Sequence, residues 1–265
     1  MLKGRIFQDP HFLDSAMWTL LTRIARLTGT VAELLRLPVA ELQFYGALDP
    51  ERIAATYRSF TMPHPTYRII GRKTIGAALL DLTRYPHAQA YLQAIGKRNF
   101  GGYFARRASA RGYRFTEIDR NRYIDGIDDI NRSLPFRQGR IMAPSYRERT
   151  EHFIDHQHYR YYGVLAPDGK LMAYCEVGMY GNFALLSRLL GYRNNDGVMH
   201  FMIVEIVSLL IREGLVRYIM YDTWFGATEG LRNFKSILGF QPYRVRYSLD
   251  TARAAQPPRK RLLSR

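Results

Sequence analysis

The stretch Asp222–Phe240, DTWFGATEGLRNFKSILGF, decides how the chain folds. A polar residue follows an apolar strand pattern and a glycine-punctuated loop comes next. A short helix, EGLRNFKSILGF, closes on Gly239-Phe240 and is followed by the strand pattern QPYRVRYSL. Alone it reads as helix, turn and strand, so its meaning depends on what precedes it.

Upstream, YRFTEID alternates as a strand, and NRYIDGIDDINRSL places Tyr123, Ile127, Ile130 and Leu134 at helical spacing. SYRERTEHFIDH reads as a second helix. YRYYGVLAPDG and KLMAYCEVGMYG read as strands joined at a Pro-Asp-Gly turn, and NFALLSRLLGY as a third. After the loop RNNDG comes VMHFMIVEIVSLLIREG, a helix apolar on most faces, which must lie against a sheet. Glu205, Ser208 and Arg212 mark its expected solvated stripe. VRYIMYDTW is then a central strand ending at Asp222.

This order, β-α-α-β-β-β-α-β-α-β over residues 113–250, resembles the acyl-CoA N-acyltransferase superfamily, the GCN5-related acetyltransferases. The resemblance implies an α/β (α+β) fold: a mixed, mostly antiparallel central sheet with flanking helices. Phe234-Lys235 before Gly239-Phe240, with Tyr221-Asp222 at a strand end, is similar to the FemAB-like branch, whose members use aminoacyl-tRNA. YLQAIGKRNFGGYFARRASARGYRF resembles the basic helical lead-in of that branch. Lys235 stands where many acetyltransferases carry a general-acid tyrosine. The pyrophosphate turn of acetyl-CoA users is incomplete: Arg188-x-x-Gly191 is present, but Arg193 stands where a second small residue belongs. Arg188, Gly191, Arg193 and Gly197 are therefore the expected donor-phosphate residues.

Acyl transfer needs a base for the amine, stabilisation of the oxyanion and help for the leaving group. Lys235 is the cationic candidate, Asp222 a base or an orienter of Lys235, and Glu176, mid-strand in AYCEVG, a base. Arg137, Gln138 and Arg140 in FRQGR are the expected acceptor contacts. His152, His156 and His158 in EHFIDHQH have a spacing a metal can use, but the approach of a strand scatters them, and no metal is expected. No tightly bound cofactor is expected either; the co-substrate is an acyl-CoA or aminoacyl-tRNA, with an acyl carrier protein as a third possibility.

Charge points the same way. The chain has 265 residues, with 39 Lys+Arg against 23 Asp+Glu, a net charge of +16. Such an excess favours a polyanionic partner, tRNA or another nucleic acid or a phosphorylated carrier. Between Arg84 and Phe115 there is no acidic residue, and helical spacing offers Lys97, Arg98, Arg106, Arg107 and Arg111 as a phosphate-tracking ribbon. A nucleic-acid-binding or nucleic-acid-modifying protein with a diverged transferase domain is the competing reading.

The remaining expectations concern organisation. Residues 1–65 read as a helical region: Asp9-Pro10, Thr30 and Asp49-Pro50 start helices, and Pro63 and Pro65 mark a boundary. Residues 66–112 read as a basic helical lead-in, 113–250 as the acyltransferase domain and 251–265 as a basic disordered tail. Cys175 is the only cysteine, and the most apolar stretch is too short to span a bilayer, so a cytoplasmic protein is expected.

Overall fold

The computed structural model describes residues 33–252 apart from 66, 67, 69, 134, 135, 138 and 139. The helix expected to start at Asp9-Pro10 lies outside the described residues, as do all but the first two residues of the tail. The chain divides into two units, 1–38 and 39–265; helix α1 occupies 33–36 in the first.

The second unit is built on an eight-stranded sheet of order β1-β10-β2-β9-β8-β7-β6-β3. In chain order the strands are β1 (Val39–Tyr45), β2 (Ile75–Asp81), β3 (Arg114–Glu117), β6 (Tyr159–Leu165), β7 (Leu171–Met179), β8 (Phe183–Gly191), β9 (Tyr218–Thr223) and β10 (Gln241–Asp250). β4 (Phe136–Arg137) and β5 (Arg140–Ile141) form a separate ribbon. Within the sheet β1 runs parallel to β10 and β8 parallel to β9; all other neighbours are antiparallel. The mixed, mostly antiparallel sheet read from the sequence is the one observed.

Two strands occupy places where the sequence suggested helix. VAELQFY forms edge strand β1, with Ala40, Leu42 and Phe44 buried in strict alternation. That period of two is also compatible with a short helical turn, and the neighbour β10 decides the matter. IGAALLD forms β2, buried on both faces between β9 and β10, so no alternation betrays it. The compact unit that contains both strands starts at Val39.

The two sheet faces carry different layers. On one lies α7 (Val198–Glu213), with α3 (Ala88–Ala94) and α4 (Gly101–Ala110) from the basic lead-in packed over it. Ala173, Cys175 and Val177 of β7 point into this core along with Phe201, Met202, Val204 and Ile206. Each such aliphatic or aromatic residue contributes about 1.5–3 kcal/mol. Gly101 and Gly102 make the packing of α4 possible, since a Cβ on Gly101 would sit 2.6 Å from the side chain of Leu238. Ser208, expected in solvent, is 3% exposed in this layer. On the other face α2 (Pro50–Thr61), started by Asp49-Pro50 as read from the sequence, covers β1, β2, β9 and β10. α5 (Ile124–Arg132) covers β6–β8 there.

The second helix expected over SYRERTEHFIDH shrinks to α6 (Pro144–Arg147). Side chains capture the backbone beyond it: Asn121 bonds both the N–H and the carbonyl of Phe153, and Arg120 donates to the carbonyl of Ile154 at 2.7 Å. An extended segment is thus held against α5 where helical bonds would otherwise form.

Candidate functional site

The stretch that opened the sequence analysis forms α8 (Glu229–Ile237), capped by Thr228. Gly239, at φ +91, ends it: its N–H donates to the carbonyl of Ser236 and that of Phe240 to the carbonyl of Lys235. This is a Schellman cap, and it explains why a glycine and then a large apolar residue follow the helix. The cap delivers Lys235 into the interior. The residue is 1% exposed; its ammonium donates to the carbonyl of Thr223 at 2.7 Å and sits 4.6 Å from the centre of the Tyr221 ring. Burial pushes its pKa down to about 8; nearby Asp222 partly opposes this and Lys73 adds to it.

Thr223 ends β9, beyond the point where its pairing with β8 stops. β8 and β9 pair at three positions, Phe183 with Tyr218 through Leu185 with Met220, and then part. Asp222 itself, at φ +52, forms its ion pair with Lys73 and not with Lys235. It acts on Lys235 through charge alone.

The opposite sheet face holds a cavity of about 680 Å³. Its floor is β6–β8, and its walls come from α2, Arg120 and the extended segment between α6 and β6. Glu176 and Arg188, read from the sequence for different roles, both line it. Glu176, 8% exposed, accepts from Arg120 at 2.8 Å, and its other oxygen is 3.8 Å from Arg188 Nε. A bulge explains why Arg188 faces this way. Cys175 pairs with Leu189 but Val177 with Leu186, so Ser187 and Arg188 together oppose Glu176. The extra residue turns Arg188 away from the α7 face that Leu186 occupies.

Arg120 was not singled out in the sequence, yet it is a buried charge held by several partners. It bonds Glu176, Asp155 and the Ile154 carbonyl, between the rings of Phe153 and Tyr161. Only its place after Asp119, at the end of a strand pattern, set it apart. His158 was noted only as a possible metal ligand. It is 3% exposed, with Nδ1 3.0 Å from Asp49 but its N–H not aimed at that carboxylate. Burial lowers its pKa, Asp49 opposing, so the imidazole is neutral near pH 7. Tyr159 and Tyr180 share a 2.7 Å hydrogen bond beside it. Among the described residues, no three His, Cys, Asp and Glu side chains converge to hold a metal ion.

The other expected residues are placed as follows. Gly197 adopts φ +86 at the start of α7, but the carbonyl of Phe104 lies against it, 2.3 Å from where a Cβ would be. Gly191 is buried at the end of β8, against Met199 and Ala173, and Arg193 is exposed in the following loop. Arg107 and Arg111 of the basic ribbon hold that loop, through the Asn195 carbonyl and Asp196, which Tyr113 also contacts at 2.7 Å. Arg106 donates to the Gly96 carbonyl. Lys97 and Arg98 are exposed, with Phe100 and Tyr103 partly exposed nearby. Arg137 and Arg140 pair across the β4–β5 ribbon, while Gln138 lies outside the described residues.

Strand order, the parting of two parallel strands and the helix that crosses between them define a mixed α/β fold, an eight-stranded central sheet with flanking helices. Among solved structures the chain is similar to FemX, at 11% identity and TM-score 0.49, over 63% of this chain and 59% of that one. It is also similar to L-PGS from Bacillus licheniformis (15% identity, TM-score 0.41, 64% and 60%). A tandem GNAT protein from the clavulanic acid biosynthesis pathway matches at 18% identity and TM-score 0.41, over 74% and 56%. The chain spans about three fifths of the length of the first of these structures. No family model and no curated protein sequence matches it.

Proposed function

We propose that this chain is an N-acyltransferase that moves an acyl or aminoacyl group from a phosphorylated carrier to an acceptor amine. The observation that carries the proposal is the placement of Lys235, a buried cation held at the end of β9 beyond the point where β8 and β9 stop pairing, with a pKa drawn toward neutrality. The amine nitrogen attacks the donor carbonyl, an N–C bond forms, and the ester or thioester bond breaks. The Lys235 ammonium gives its proton to the leaving oxygen or sulfur, a transfer favoured when the donor's pKa lies near the working pH. The amine enters through the gap where β8 and β9 part, from the cavity that Glu176 lines on the other sheet face, and loses its proton to solvent.

The carrier is an aminoacyl-tRNA, an acyl-CoA or an acyl carrier protein, and the setting is cytoplasmic. Exposed Lys97 and Arg98 beside Phe100 and Tyr103 support a nucleic-acid carrier, because cations and aromatic faces together bind phosphate and base. The same patch supports the second reading, nucleic-acid binding without transfer. Native mass spectrometry of the purified chain tests the proposal. A co-purified tRNA, CoA thioester or acyl carrier is the expected result. A bare chain that also fails to retain any of the three when they are added rejects it.

A further inference from the structure

The cavity under Glu176 and Arg188 presents one carboxylate and one guanidinium side by side, and each has capacity to spare. Oε1 of Glu176 is engaged by Arg120 at 2.8 Å, whereas Oε2 lies 3.8 Å from Arg188, beyond hydrogen-bond length. Among the described residues, Arg188 makes no hydrogen bond, and Glu176 is its nearest carboxylate. The Tyr146 ring lies 5.1 Å from its guanidinium carbon and supports the fork from one side. Arg52 lines the same cavity from α2. Arg188 and Glu176 thus face a common space, each with hydrogen-bonding capacity unfilled.

A bare anion on Arg188 would lie against Glu176, and a bare amine on Glu176 would lie against Arg188. Each would leave one of the two groups unmatched and facing like charge. A molecule carrying both signs on adjacent atoms satisfies both groups. A planar carboxylate matches the guanidinium fork in two-point geometry, and an ammonium matches the free carboxylate oxygen. The volume of about 680 Å³ is in the range of small-molecule sites, and the parallel rings of Tyr159 and Tyr161, 6.2 Å apart, offer an apolar wall for a side chain.

From this we propose that the acceptor is an α-amino acid, its ammonium on Glu176 Oε2 and its carboxylate on Arg188. The proposal rests on the acyltransferase reading for the word acceptor, but the binding site stands or falls alone.

Isothermal titration calorimetry with each of the twenty common L-amino acids, without any donor, tests it. At least one amino acid binds. Its decarboxylated amine and its des-amino acid each bind about tenfold or more weakly, since each lacks one charge-assisted bond. Arg188→Gln weakens the amino acid by a similar factor while its melting temperature stays near that of the wild type. The inference is overturned if no amino acid binds, if the amine alone binds as well, or if O-phosphoethanolamine binds more tightly than all of them. Amino-acid binding without acyl transfer from any carrier would sink the reaction and keep the site. Transfer to amines that lack a carboxylate, with no amino acid bound, would do the reverse.

Discussion

The two faces of the sheet solve different problems with the same strands. Toward α7 the strands show Ala173, Cys175, Val177 and Leu186 to an apolar helix, and the main charge admitted is Lys235. Toward α2 and α5 the same strands show Tyr174, Glu176 and Ser187, and the space above them is lined with arginines, histidines and tyrosines. One face buries an unpaired cation at a cost; the other buries charges that are paired and stacked. A buried charge without a counter-ion is retained at a stability penalty, which is the usual mark of a group kept for its chemistry.

The largest expected effect tests the lone cation. Lys235→Met keeps the volume and removes the ammonium, so transfer falls by about a hundredfold or more, the scale of one general acid. Stability moves the other way. The folded pKa near 8 lies below the unfolded value near 10.5, so the unfolded chain binds more protons between those limits. Wild-type stability, taken relative to the Met variant, is lowest and flat below pH 8. It then recovers by roughly 3 kcal/mol as pH rises to 10.5. Urea unfolding of both proteins across that range checks the sign.

Arg120→Ala tests the paired face. It strips Glu176 of its hydrogen-bonded partner and removes a group stacked on two rings, and unfolding free energy falls by about 3–5 kcal/mol. A loss under about 1 kcal/mol would mean that the pair is not buried as described. Gly239→Ala is smaller. It forces φ +91 on a residue with a Cβ, which would meet Leu80 at 3.1 Å, and it costs about 1–2 kcal/mol in chemical denaturation. Smallest in stability is Lys97→Ala with Arg98→Ala, within about 0.5 kcal/mol of the wild type because both side chains are exposed. Filter binding of tRNA by that double variant should weaken, with a shallower dependence on salt.

The α7 face was legible in the sequence because it is written in periods: VMHFMIVEIV is continuous apolar helix, and the Gly-Phe after Lys235 is a helix cap. The cavity face was legible only in part. Glu176 could be placed mid-strand, but its partners lie 56 residues away at Arg120 and, through a bulge, at Arg188. A one-residue bulge leaves no trace in alternation, and it is what turns Arg188 toward the cavity. The extended segment 148–158 was hidden because side chains of Asn121 and Arg120, distant in sequence, override its helical spacing. β2 was hidden because a strand buried on both sides shows no period. The acid-free ribbon misled in part: Arg107 and Arg111 lie on it because they hold the 193–197 loop.

The most direct test is transfer itself. Wild type and Lys235→Met are incubated with a mixture of L-amino acids and, separately, acetyl-CoA, an acyl carrier protein thioester and a pool of aminoacyl-tRNA, and mass spectrometry searches for new amides. The expected result is an amide product with one of the carriers in the wild type and about a hundredfold less in the variant, with both proteins binding the acceptor equally. Equal product from the two proteins, or none from the wild type with any carrier, contradicts the account.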